Sequence, residues 1–262
     1  MLENEGDTDY VTVNFPYDGA LMYVDGMEDL SGSDLVPVAS IHTSTGELMA
    51  QREDVGPDGP VLYPHMNEGP FLISVADSDG GGGSTYWTVL IIKAGDEGEA
   101  RPTDTESNDT DAQATELEMT ETENSSGNVF HYGKVQGAMD AVGDVDFWKM
   151  EVSPDATHEN DDGDEVQYLV VCMNSAYWGS SISPDLVVYD ADGNELASSA
   201  GDPTGRPENR IENVEITPGG PVYVAVTAGE DNLGGPDEWY FLNTYIASFP
   251  VLSYEEEGYA CP

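Results

Sequence analysis

Gly69-Pro70-Phe71-Leu72-Ile73-Ser74-Val75 and Gly220-Pro221-Val222-Tyr223-Val224-Ala225-Val226 read as two versions of one β-strand. Each leaves a Gly-Pro turn and runs on in apolar, aromatic and β-branched residues, the signature of a short strand. Around them other landmarks recur in the same order. Gly6-Asp7-Thr8-Asp9-Tyr10 matches Gly143-Asp144-Val145-Asp146-Phe147, and Asp34-Leu35-Val36 matches Asp185-Leu186-Val187. Gly46-Glu47-Leu48 matches Gly193-Asn194-Glu195-Leu196 with one insertion, and an aromatic pair follows in both halves, Tyr86-Trp87 and Trp239-Tyr240. Five ordered landmarks predict two copies of one β module.

The rest of the chain has the same texture. Residues 8–15, 85–92, 165–173 and 239–246 are strand-like runs bounded by Gly, Pro, Asp or Asn, and Asp192-Gly193 is a hairpin turn. Tyr168-Leu169-Val170-Val171-Cys172-Met173 is apolar on both faces and reads as a central strand covered on both sides. The fold class expected is all-β: tandem jelly-roll-like β-sandwich modules, the first truncated at its N-terminus. The modules span 1–96 and 128–248, with an acidic linker at 97–127 and a tail at 249–262. Within the linker, 111–117 is expected as a short helix whose Ala114 and Leu117 dock on a sheet. The first copy has only five residues before its Gly-Asp-Thr-Asp, so Met1 is expected to lie inside a domain of a longer polypeptide.

Charge narrows the function. The 262 residues carry 52 Asp and Glu against 7 Lys and Arg, a formal net charge of −45. A surface this negative repels phosphate backbones and anionic lipid, and no basic stripe offsets it, so neither nucleic acid nor membrane is expected as a partner. Hydrophobic residues at 39%, with 14 Tyr and 4 Trp, are too many for a disordered acidic polymer. Met1-Leu2-Glu3-Asn4 has neither a basic nor an apolar region, so no signal peptide is expected there. Two cysteines, Cys172 and Cys261, permit one bridge; Cys172 reads equally well as a small buried hydrophobe.

The sequence Glu106-Ser107-Asn108-Asp109-Thr110, with Gly143-Asp144-Val145-Asp146-Phe147, the run from Asp185 to Gly193 and the strand at 221–226, resembles the bacterial pre-peptidase C-terminal domain. That family is related to the collagen-binding domains of clostridial collagenases. The resemblance covers about 103–248, plus a truncated copy in 1–95. It implies a non-catalytic β-sandwich appendage of secreted or cell-surface proteins, possible neighbours being a catalytic domain in the same polypeptide and a polysaccharide or extracellular protein ligand. In the collagen-binding relatives, linker acids and an acidic loop hold calcium. Carried over by position, the calcium ligands are Asp104, Glu106, Asn108 and Asp109 from the linker and Asp144, Asp146 and Asp140 from the loop. Asp104 stands where relatives commonly carry Glu. Such a cluster suits Ca²⁺, which takes six to eight hard oxygen ligands; without a cation the carboxylates repel or take up protons. The plain alternative is a solvated linker.

Other candidates are weaker. Asp190-Ala191-Asp192-Gly193-Asn194-Glu195 has its Gly too early for an EF-hand loop and is read as a hairpin turn. The acidic run 158–165 is read as an exposed loop and 77–83 as a flexible turn. His42, His65, His131 and His158 are scattered, and no His-Glu-x-x-His or Gly-x-Ser-x-Gly motif occurs. The chain is therefore not read as an enzyme. Tyr177 and Trp178, an aromatic pair between strands, are the candidate ligand-binding residues; the alternative is that they cover a sheet edge. Competing functions are an adhesin module for carbohydrate or protein and a hydrolase with an unrecognised site.

Overall fold

The computed structural model describes residues 2, 4–14, 36–53, 70–81, 106–123, 129–154, 157–160, 162–176, 180–201, 209–228, 234 and 237–250. The chain divides into two compact units, Met1–Arg101 with Trp178–Ser181, and Pro102–Tyr177 with Ile182–Pro262. The boundary falls in the acidic stretch. The described residues form an all-β structure, and no helix among them is long and apolar enough to cross a membrane.

The second unit is a sandwich of two sheets. One has the order β13 (Asn209–Ile216), β10 (Glu165–Asn174), β15 (Trp239–Ala247), β7 (Val129–Ala138), β6 (Thr120–Glu123). The other has the order β12 (Glu195–Ser199), β11 (Asp185–Tyr189), β14 (Pro221–Thr227), β8 (Val145–Glu151), β5 (Thr115–Glu116). Alternation sets the core: Trp148 and Met150 of β8, Leu186 and Val188 of β11, and Val222, Val224 and Val226 of β14 face Leu169, Val171, Met173, Tyr240, Leu242 and Ile246 of the opposite sheet. Strand β10 is buried from Val166 to Asn174, as its two-sided apolar sequence requires. Its other face joins a smaller apolar cluster of Phe130, Val170, Cys172, Tyr245 and Ala247. Cys172 is both fully buried and disulfide-bonded.

In the first unit, the described strands β1 (Thr8–Val13), β2 (Pro37–His42), β3 (Leu48–Glu53) and β4 (Phe71–Asp77) form one sheet in the order β1-β4-β2-β3. This is the order β8-β14-β11-β12 of the second unit. The register agrees too: Asp9 lies opposite Val75 as Asp146 lies opposite Val226. His42 lies opposite Leu48 after a bulge at Ile41, as Tyr189 lies opposite Glu195 after one at Val188. The turns repeat as well. Thr43 N–H donates to the Glu47 carbonyl at 2.8 Å and Asp190 N–H to that of Asn194 at 3.0 Å, while Gly46 and Gly193 take φ of 92° and 80°.

These registers correct two sequence matches. Leu48 falls on Glu195, so the hairpins align without an insertion. Val38, opposite Ala76, takes the place of Asp185, opposite Thr227; the Asp34-Leu35-Val36 match is therefore displaced by four residues. Residues 85–92, with Tyr86 and Trp87, and His65 lie outside the described residues.

The linker reading is also corrected. In place of a helix over 111–117 there is one 3-10 turn, Asp111–Gln113, and then strand β5, which pairs in parallel with β8. A seven-residue helix is too short to offset its nucleation cost. Pairing prevails: Thr115 sits opposite Trp148, and Leu117 N–H donates to the Lys149 carbonyl at 2.8 Å. Leu117 docks as expected and is part of the core, whereas Ala114 is half-buried. With β6 continuing at Thr120–Glu123, the segment builds an outer strand into both sheets. The run 158–165 is exposed, as expected, but is a short hairpin and not a loop: His158 and Glu159 form β9 and pair back onto β10 across a turn whose Asn160 Oδ1 accepts from Asp162 and Asp164 N–H.

Candidate metal centre

The turn leading into β8 is built by its own sequence. Gly143 takes φ 77°, which glycine adopts without the steric cost of a Cβ. Asp144 N–H then donates to the Ala141 carbonyl at 3.1 Å. The buried Asp144 carboxylate accepts from Val145 N–H at 3.0 Å through Oδ1 and from Asp140 N–H at 2.7 Å through Oδ2. Two local hydrogen bonds thus fix its orientation.

The linker arm arrives beside this turn because Phe147 N–H donates to the Asn108 carbonyl at 3.0 Å, ahead of the β5–β8 pairing. Glu106, Asp109 and Asp144 consequently each bring a carboxylate oxygen within 4.8 Å of the other two. Glu106 and Asp109 are exposed and Asp144 is buried. Between the two arm acids sits Asn108, fully buried, whose side-chain Oδ1 and Nδ2 have no hydrogen-bond partner. A buried amide without partners costs on the order of 1–3 kcal/mol. Each pair of charges at about 4 Å repels by roughly 1 kcal/mol in a water-like medium and about 4 kcal/mol at a protein-surface dielectric. Three carboxylates are hard oxygen donors of the kind that Ca²⁺ and Mg²⁺ take.

The other expected ligands lie differently. The Asp140 side chain is exposed and outside the three-carboxylate group; its backbone N–H is what meets Asp144. Asp146 is completely buried on the inward face of β8, two residues before Trp148, and is also outside that group. Asp104, Tyr177 and Trp178 lie outside the described residues.

Asp146 belongs to a buried chain that sequence reading missed. Trp148 Nε1–H donates to Tyr240 Oη at 2.8 Å, and the Tyr240 O–H donates to Asp146 Oδ2 at 2.6 Å. Gly137 makes room for it: a Cβ there would collide with the Tyr240 hydroxyl and ring. The signal was available, since period-two alternation puts Asp146 on the face of Trp148 and Met150, and an inward acid needs a donor.

Elsewhere, Asp190 closes the β11–β12 turn. Its carboxylate accepts from Asn194 Nδ2 and from Asn194 and Asp192 N–H, and these bonds, the Asn194 side chain first, hold its pKa below the ordinary 3.8. A cavity of about 270 Å³ beside this turn is lined by Asp190, Asp192, Leu196, Pro218 and Val222 among others. Its only ionisable groups are those two acids.

No family model matches the chain, and no curated protein matches it.

Proposed function

We propose that the chain is a tandem of jelly-roll-like β-sandwich modules that act as a non-catalytic accessory or targeting part of a secreted or cell-surface protein, of the pre-peptidase C-terminal type. In this reading the second module is stapled to its linker by calcium. The observation that carries it is the meeting of Glu106 and Asp109 from the arm with Asp144 from the sandwich, all within 4.8 Å, on an arm whose Asn108 side chain is buried and unpartnered. A divalent cation there removes the repulsion and gives the amide oxygen a partner. The arm's ordering then becomes part of the second module's stability. The common strand order and register of the two units support a repeated module. The disulfide at Cys172 supports an oxidising, extracytoplasmic setting.

The test is a thermal melt in chelator, in millimolar calcium, and in magnesium at matched ionic strength. At a hundredfold excess over Kd, calcium stabilises by about 2.7 kcal/mol. For a unit of this size that is a rise of roughly 5–11 °C. Glu106→Gln and Asp109→Asn, both exposed and outside the turn, reduce the rise. An equal rise with both cations reports generic screening of the −45 charge and overturns the reading.

A further inference from the structure

The outer face of the β12-β11-β14-β8-β5 sheet is apolar at its centre and open to solvent. Phe147 of β8, Tyr223 and Ala225 of β14, and Val187 and Tyr189 of β11 alternate along their strands with residues of the core, so they point outward. All but Ala225 are half-buried. Phe147 and Tyr189 lie with 25° between their ring planes and centroids 5.9 Å apart. They reach each other across β14, where Ala225 sits opposite both Phe147 and Val187. The rim is acidic: Glu116, Glu151, Asp185 and Glu195 are exposed, and the one cation in these five strands, Lys149, is paired with Glu151. A sheet with one face on the core ordinarily turns polar side chains to water with the other.

The first unit shows that the fold does not require an apolar face here. Its sheet has the same strand order and register, and the places of Phe147, Ala225, Val187 and Tyr189 fall to Tyr10, Ser74, Ser40 and His42. There the His42 ring is held over the sheet by an Nε2–Oγ hydrogen bond of 3.1 Å with Ser74. Equivalent backbone positions thus carry polar side chains in one unit and apolar ones in the other, and an apolar patch that packing does not demand marks an interaction site.

We infer that this face of the second unit is a docking surface for a partner polypeptide with an apolar or aromatic centre and basic flanks. An aromatic centre inside a charged rim is the anatomy of a protein interface. The acidic rim, on a chain of net charge −45, sets the sign of the partner. A second copy would set the same acids against one another, whereas a basic partner is steered in and kept in register. None of the patch residues belongs to the group of Glu106, Asp109 and Asp144, so the inference stands apart from the cation reading.

The test uses the full isotope-labelled chain and the blocked pentapeptide Lys-Leu-Tyr-Leu-Lys as probe. Titration followed by NMR should shift amides of β8, β11 and β14 around the patch ahead of all others, and raising the ionic strength should weaken the binding. The triple variant Val187→Ser, Tyr189→His, Ala225→Ser takes the side chains that the first unit carries at these places, so the strands are kept. It should weaken binding by at least about tenfold, the loss of one strong interface contact. Glu116→Gln with Glu195→Gln leaves the apolar centre intact and should weaken binding as well. Equal binding of Lys-Ser-Asn-Ser-Lys would report charge attraction alone, and equal binding of Glu-Leu-Tyr-Leu-Glu would remove the role of the rim; each overturns the inference. Shifts at these strands with cellohexaose and not with the peptide would assign the face to a neutral glycan. Dimerisation that the triple variant abolishes would assign it to a second copy, and either result also overturns the inference.

Discussion

Tyr240→Phe removes one oxygen from the centre of the second unit and leaves its shape intact. The hydroxyl accepts from Trp148 Nε1 at 2.8 Å and donates to Asp146 Oδ2 at 2.6 Å, and all three residues are buried. Two polar groups therefore lose a bond at once. A buried donor or acceptor left without its partner costs about 1–3 kcal/mol, and here the Trp148 N–H and an Asp146 oxygen each lose one. Phenylalanine leaves a gap smaller than a water molecule, so neither loss is readily repaired. The expected destabilisation is about 3 kcal/mol, a fall of roughly 6–12 °C in the midpoint of a unit of about 160 residues. Scanning calorimetry in saturating calcium measures it. The control is Tyr132→Phe, whose hydroxyl donates to Asn243 Oδ1 at 3.2 Å in a half-buried setting and should cost about 1 kcal/mol. An Asp146→Asn single variant and the Tyr240→Phe, Asp146→Asn double close a thermodynamic cycle, with a coupling of about 1 kcal/mol or more expected between the two side chains. A Tyr240→Phe midpoint within about 2 °C of wild type, or an effect equal to that of Tyr132→Phe, would refute the buried relay.

Two further outcomes follow from the same structure. Leu117→Ala removes the buried anchor that follows β5, so it should cost about 2–5 kcal/mol. Limited proteolysis should then cut within 97–127 faster than in the wild type while β10 and β15 stay protected. For Asp190 the folded pKa lies below 3.8 because Asn194 and the turn amides donate to the carboxylate. Its turn is therefore favoured above the unfolded pKa, and that support is lost as pH falls through the folded value. An NMR titration of Asp190 should give a midpoint under 3.8, moving up toward it in Asn194→Ala; an unchanged midpoint would show that the side-chain amide is not the cause.

Much of the fold was legible because strands with one buried face must alternate, and strands with two must not. Residues 71–77, 165–174, 221–227 and 239–247 announce themselves in this way. Strands β7 and β13 do not, for physical reasons. In β7 the inward places at Gly133 and Gly137 are given to Leu117 and Tyr240, so the alternation there reads as glycine. In β13 the pattern slips between Ile211 and Val214 because Asn213 takes φ 53° where the pairing with β10 shifts register. The linker was misread through its composition: Asp111-Ala112-Gln113-Ala114 favours a helix locally, but the free edge of β8 offers backbone partners, and Leu117 a core position. Of the candidate site, the sequence identified the acids but could not rank them. Asp140, Asp144 and Asp146 lie within seven residues of one another, and only the turn geometry turns the second toward the arm and the third into the core.

The two units together separate what the fold supplies from what a cation would add. In the first unit Asp7 N–H donates to the Asn4 carbonyl at 3.1 Å, and Asp7 Oδ1 accepts from Thr8 N–H at 3.0 Å, after a glycine with φ 74°. Asp144 makes the same two bonds, at 3.1 and 3.0 Å, after a glycine with φ 77°. The sandwich-side carboxylate is thus oriented by the turn itself, whether or not other acids approach. Selectivity for a cation, were one bound, would then come from the arm, because among the described residues it is Glu106 and Asp109 that bring further carboxylate oxygens to Asp144. A preformed carboxylate on a rigid turn, met by ligands on a segment that has to be ordered, is the arrangement in which binding energy goes into fixing the arm. On the proposed reading, Glu106 and Asp109 are accordingly the positions at which cation affinity and arm order would change together, while the turn around Asp144 would stay as it is.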